Sequence, residues 1–164
     1  MTMIPIEITT SSNLKLRILK PEDAPQLFQL TDTNRDHLGQ WLPWVQFVNV
    51  EADSRNFIEL GLADLKSGKS FHYGIWYDGR LAGVIGAHTW KPGQKFLEIG
   101  YWLGKDFEGK GVMSQACMVL INELFATYTV QTVQICCQPA NERSAAIPKR
   151  LKFQFVERVR NTDD

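Results

Sequence analysis

The sequence predicts an α/β (α+β) fold in which strands alternate with helices, and three observations point there. FHYGIWY (Phe71–Tyr77) and RLAGVIGAHTW (80–90) are apolar, aromatic and β-branched runs flanking Asp78-Gly79, a pair suited to a two-residue hairpin. FLEIGYWLG (96–104) is almost continuously apolar, as a central strand covered on both faces would be. It leads through Gly109 and Gly111 into a segment where Met113, Cys117, Leu120, Ile121, Leu124 and Phe125 recur at helical spacing.

The remaining elements follow in order. Leu14, Leu16 and Ile18 alternate with Lys15 and Arg17, the period of a half-buried strand, and Pro21 with Glu22 and Asp23 opens a helix. GQWLPWV (39–45) is too irregular for a helix and too apolar for a solvated loop, so it is expected to fold back over the body. Glu51–Lys66 has an acidic start, a basic end and apolar Phe57, Ile58, Leu62 and Leu65, which suits an amphipathic helix closed near Gly68. A turn at Pro92-Gly93 precedes the apolar strand, and VQTVQICCQ (130–138) is another strand. A short helix over 141–151 contains Pro148, tolerable only near a helix start, which places the N-cap at Ser144. FQFVER (153–158) reads as a last strand.

Composition bounds the function. At 164 residues and 44% hydrophobic, the chain suits one domain spanning 1–164. Eighteen basic and eighteen acidic side chains balance, so no global field draws it to nucleic acid or to an anionic membrane, and an anionic ligand must be held locally. The start MTMIPIEITT lacks a signal-peptide pattern and no apolar run has membrane-spanning length, so cytoplasm is the expected location. Cys117, Cys136 and Cys137 offer no CxxC or zinc spacing and read as buried, reduced thiols; no metal site is expected.

Gly109 and Gly111 carry the sharpest signal. A glycine-hinged loop between a buried strand and a long helix, with Lys110 inside it, turns amides toward one point at the positive end of the helix dipole. Those are the parts of a phosphate or diphosphate cradle. A dinucleotide fold would want GxGxxG at an early strand-to-helix turn, whereas Ser114 stands at the third position and four elements precede the loop. ADLKSGKS (63–70) nearly matches the phosphate loop GxxxxGK followed by Ser or Thr, but it leaves a helix and enters a strand, the reverse of what that loop needs.

With these motifs in hand, EIGYWLGKDFEGKGVMSQACMVLINELF, followed by NERSAAIPKRLKF and preceded by WLPW, resembles the GNAT acetyltransferases. The branch is that of the ribosomal-protein N-terminal acetyltransferases of the RimJ/RimL type, and the likeness runs over about 14–155. It implies a mixed, mostly antiparallel sheet splayed between its fourth and fifth strands, with acetyl-CoA as co-substrate in the gap. On this sequence, backbone groups of Tyr101, Trp102 and Leu103 would meet the pantetheine arm, and amides of Gly109, Lys110, Gly111, Val112 and Met113 the diphosphate. Asn141 and Ser144 would face the thioester. The chain departs from the family loop Q/R-x-x-G-x-G/A at Glu108 and Met113, and Leu-Gly-Phe reads Leu151-Lys152-Phe153. The family's C-terminal strand is expected to be missing, which would expose a sheet edge and favour a homodimer.

Acetyl transfer to an amine needs a neutral nitrogen and a proton for the departing thiolate. An α-amino group, with a pKa near 8 against about 10.4 for lysine, needs only a weak base. Glu98, on the central strand, is the candidate base, directly or through water, or else a structural partner of a neighbouring strand. Ser144 is the candidate acid, or simply a cap. Tyr101 is a weaker acid candidate and reads chiefly as core, His37, His72 and His88 have no partner at a defensible spacing, and a covalent route through Cys137 lacks an activating histidine. Trp41 and Trp44 either close the core or wall an acceptor groove, the core being favoured. The expected reaction is acetyl transfer to a protein N-terminus. Transfer to a small amine or polyamine, a catalytically weak CoA-binding module, and a nucleotide-binding protein using GKS are the alternatives.

Overall fold

The structure, a computed structural model, describes residues 4–10, 13–89 and 93–156. Six strands form one sheet in the order β1 (Glu7–Thr9), β2 (Leu14–Ile18), β3 (Phe71–Tyr77), β4 (Arg80–Ala87), β5 (Phe96–Leu103) and β6 (Thr132–Ile135). Every pairing is antiparallel except β5 with β6. The helices are α1 (Ala24–Thr33), α2 (Arg35–Gly39), α3 (Glu51–Lys66), α4 (Val112–Thr127) and α5 (Glu142–Arg150).

The hairpin forms as expected, with Asp78 at φ 49° and Gly79 at φ 76°, the paired left-handed residues that a tight two-residue turn requires. The β3–β4 register shifts between Ile75 and Trp76, a bulge that re-aims the strand. Helix α3 has the predicted bounds. Asp53 accepts the amides of Asn49 and Val50 at its start, and at its end the Lys69 amide reaches back to the Asp64 carbonyl at 2.8 Å. Gly68 therefore closes a helix and Ser70 bonds Asp64, so the GKS triplet forms no phosphate loop.

Two apolar layers cover the sheet. One face buries Leu14, Leu16, Phe71, Tyr73, Ile85, Leu97 and Ile99 against Val112, Met113, Ala116, Cys117, Leu120 and Leu124 of α4. The other packs Leu19, Trp76, Leu81 and Val84 against Leu27 of α1 and Ile58 of α3. Arg17 spans the rim of that layer, bonding both carboxylate oxygens of Asp23 at 2.9 Å and lying 4.5 Å from the Trp76 ring.

Some expectations shift. Strand β1 was not read from the sequence. Strand β4 ends at Ala87, and Trp90 and Pro92 of the expected strand and turn lie outside the described residues. Phe125 and Phe57 are about half exposed, because helices α4 and α3 present narrower apolar stripes than their sequences suggest. Cys117 is buried, its thiol pushed up to about 12 by burial, whereas Cys136 and Cys137 lie past the end of β6 and are exposed. Residues 153–156 form no strand, and 157–158 lie outside the described residues.

His72 points to a pH test. Its Nδ1 is buried without a hydrogen-bond partner, and burial, reinforced by His88 and opposed by Asp64, lowers its pKa from 6.5 to about 4. Between about pH 4 and 6.5 the native state thus holds a neutral ring where the unfolded chain would hold a charged one. The associated stability is complete above about pH 6.5 and is lost as pH falls toward 4, a contribution on the order of 3 kcal/mol. Urea unfolding at pH 7.5 and 5 should show this loss, and His72→Leu should remove most of the difference between the two.

Candidate active site

Strand β5 changes partner along its length, and the site lies where it does so. It pairs with β6 through Phe96–Thr132, Leu97–Val133, Glu98–Gln134 and Ile99–Ile135, and with β4 through Ile99 to Leu103. From Gly100 onward its β6-side edge has no strand partner among the described residues. A cavity of about 480 Å³ opens there, lined by Tyr101, Trp102 and Leu103 on the floor, by residues 107–109 and 111–114 at one end, and by α2 and α5 on its walls. That size falls in the range of small-molecule sites.

The glycine loop lies at the mouth. Gly109 and Gly111 have φ of 74° and 73°, in the left-handed region, and a Cβ on Gly109 would meet nothing within 4 Å. Backbone conformation, not crowding, is what requires glycine here. Gly111 is the N-cap of α4 and no side chain caps it, so the first amides of the helix have no intrahelical acceptor. The hydroxyl of Ser114 is buried beside them without a partner and lines the cavity. Unclaimed amides, an orphaned hydroxyl and a helix dipole fit a diphosphate. The amide of Lys110 belongs to the loop, but Lys110 is exposed and does not line the cavity.

Glu108 does not pair with Lys110. Its carboxylate lies 2.7 Å from Nε2 of His37 on α2 and forms an ion pair with Arg143 of α5. Burial, followed by the charges of Arg143 and Lys105, lowers the pKa of His37 and so favours its neutral ring beside Glu108. The carboxylate is thereby engaged on both sides, and the bridge joins both walls of the cavity. Neither His37 nor Arg143 was assigned a role from the sequence, because their partner lies 71 and 35 positions away respectively.

On the α5 wall, the N-cap is Asn141 and not Ser144. Asn141 Oδ1 accepts the Ser144 amide at 3.3 Å, which makes Ser144 the third residue of the helix. Both residues line the cavity. Pro148 lies well inside the helix, beyond the first turn where it was expected. At the far end the Lys152 and Phe153 amides bond Lys149 and Pro148, and Lys152 takes φ 60°, the position where the family sequence carries glycine.

Glu98 is placed differently. Its carboxylate accepts from Gln134 Nε2 at 3.2 Å and from Cys136 Sγ at 3.5 Å, and it is not among the cavity-lining residues. It shares a strand face with Gly100 and Trp102, and the His88 ring stands over Gly100, where a Cβ would come within 3.3 Å of Nε2. Trp44 packs against Trp102 with ring centroids 5.8 Å apart and is 39% exposed, while Trp41 lines the cavity. Trp41 thus lines the cavity and Trp44 packs on its Trp102 wall, in place of the core role favoured from sequence.

Among known proteins, the profile of the acetyltransferase (GNAT) domain matches residues 13–154. YdaF of Bacillus subtilis (strain 168) is 35% identical over 147 residues, covering 87% of this chain and 79% of that protein. The ribosomal-protein-serine acetyltransferase of Escherichia coli (strain K12) is 31% identical over 146 residues, covering 89% and 82%. Among solved structures, the microcin self-immunity acetyltransferase MccE in complex with acetyl-CoA and AMP aligns with a TM-score of 0.85 at 30% identity, covering 90% of this chain and 82% of that one. RimL, the ribosomal L7/L12 alpha-N-protein acetyltransferase in complex with coenzyme A, aligns at 0.82 and 30%, covering 91% and 82%.

The cap itself is testable. Asn141→Ala should cost about 1 kcal/mol and lower Tm by about 2–4 °C, and Asn141→Asp should keep most of that stability in the same melting experiment.

Proposed function

The chain belongs to the GNAT acetyltransferase family, and from that premise we propose that it transfers acetyl from acetyl-CoA to a protein N-terminal α-amino group, by direct attack in a ternary complex. The observation that carries this reading is the gap at the β5–β6 divergence. It joins an unpaired strand edge, an uncapped helix start behind a left-handed glycine, and the Asn141 and Ser144 wall in one cavity. Acetyl-CoA supplies the acetyl group as an activated thioester. In the proposal, the backbone groups of Tyr101, Trp102 and Leu103 hold the extended arm. The amides of Gly109, Lys110, Gly111, Val112 and Met113, with the Ser114 hydroxyl, hold the diphosphate.

Asn141 fixes the turn on which Ser144 stands, and the Ser144 hydroxyl hydrogen-bonds the thiolate as the C–S bond breaks and the new C–N bond forms, the thiolate taking its proton from water. The amine must shed a proton. Glu98 takes it through water, since its carboxylate is outside the cavity-lining set and engaged with Gln134. An α-amino group ionises near pH 8, so a carboxylate acting through water suffices. Trp41, Trp44 and Trp102 offer an aromatic wall for the extended acceptor segment. The E. coli relative, named for acetylating ribosomal-protein serine, supports an N-terminal serine as first acceptor to test. MccE, solved in complex with acetyl-CoA and AMP, supports a small-molecule amine as the second reading. The outer edge of β6, unpaired among the described residues, is where a second copy would add in a homodimer.

Acetyl-CoA should raise the melting temperature, ATP should not, and thiol release should be faster with a serine-first peptide than with polyamines. Gly111→Val should weaken acetyl-CoA binding at least tenfold. It should cost only about 1–2 kcal/mol of stability, since the nearest atom to a new Cβ is Gln115 Nε2 at 3.7 Å. Unchanged binding in a folded Gly111→Val protein would overturn the cradle.

A further inference from the structure

An α-helix bonds each amide to the carbonyl four residues earlier, and proline has no amide hydrogen to give. Pro148 inside α5 therefore leaves the carbonyl of Ser144 without its helical partner. The hydroxyl of Tyr101 fills that vacancy, donating to Ser144 O at 2.8 Å across 43 positions of sequence. Among the described residues this is the side-chain hydrogen bond that joins β5 to α5. Both backbone groups of Ser144 are thus held, its amide by Asn141 and its carbonyl by Tyr101, while its hydroxyl is left without a bond to the described residues.

We propose that Tyr101 is a positioning residue, supplying the hydrogen bond that Pro148 removes and so pinning the first turn of α5, with Asn141 and Ser144, to the floor of the active site. Its effect on turnover rests on the acetyl-transfer reading; the clamp itself does not. A proton committed to a backbone carbonyl is not available to a leaving thiolate, and burial, only partly opposed by that bond, raises the pKa of the phenol. The tyrosine therefore orients the group that reacts and does not itself react.

The test is a double-mutant cycle over wild type, Tyr101→Phe, Pro148→Ala and the double variant, read two ways. Amide exchange of α5 should speed up about five- to tenfold in Tyr101→Phe, and by less than twofold when Pro148→Ala has already given position 148 an amide of its own. With acetyl-CoA and a serine-first peptide, kcat should fall by a similar five- to tenfold in Tyr101→Phe while KM for acetyl-CoA stays within twofold. In the Pro148→Ala background the kcat loss should again be less than twofold. Equal losses in both backgrounds, an alkaline limb of the pH profile that vanishes with Tyr101→Phe, or no change in exchange would each overturn the proposal. If the wild-type protein transfers acetyl to no amine, the functional reading fails, and the exchange measurement still decides the clamp.

Discussion

A strand cannot stay paired with two neighbours that diverge, and the site follows from where β5 gives up one of them. The parallel pairing with β6 ends at Ile99–Ile135, while the antiparallel pairing with β4 continues to Leu103. Backbone groups on the freed edge still require partners. An extended molecule bearing amides can supply them in the way an added strand does, and a pantetheine arm is such a molecule. The cavity is a consequence of sheet geometry before any side chain is considered, and the glycine loop and α5 only furnish its ends.

Charge is handled just as locally. With balanced totals, the chain has no field with which to recruit an anion, so attraction must come from oriented amides at the start of α4. Glu108 beside that start would oppose it if left free. His37 and Arg143 engage it instead, and Arg143 remains largely exposed at the cavity wall. The carboxylate becomes a bridge between α2 and α5 in place of a competitor for the anion site.

What the sequence revealed and what it hid divide along contact range. The hairpin at Asp78-Gly79, the bounds of α3 and the glycine loop before α4 are encoded by neighbours in the chain and were legible. Strand β1 is short and mostly exposed, leaving no alternation to read. The cap of α5 was misplaced because proline was assumed to need a helix start. The remedy, a hydroxyl from β5, is tertiary and has no local signature. His37 and Arg143 were hidden for the same reason, since each takes its meaning from a partner at least 35 positions away.

Strand alternation then divides the labour of β5. Leu97, Ile99, Tyr101 and Leu103 join the layer shared with α4, whereas Trp102 joins the α1 and α3 side, with Glu98 and Gly100 on its face by period two. A molecule lying along the free edge therefore has Tyr101 and, through it, Ser144 on one side, and Trp102, Trp44 and Glu98 on the other. In the proposed reaction the group beside the leaving thiolate and the acceptor of the amine's proton would then fall on opposite faces of β5. A one-residue slip of β5 would exchange the two faces and place the tyrosine among the acceptor-side aromatics. The register of β5 against β4, from Ile99–Ala87 to Leu103–Gly83, thus sets which face each of these side chains occupies.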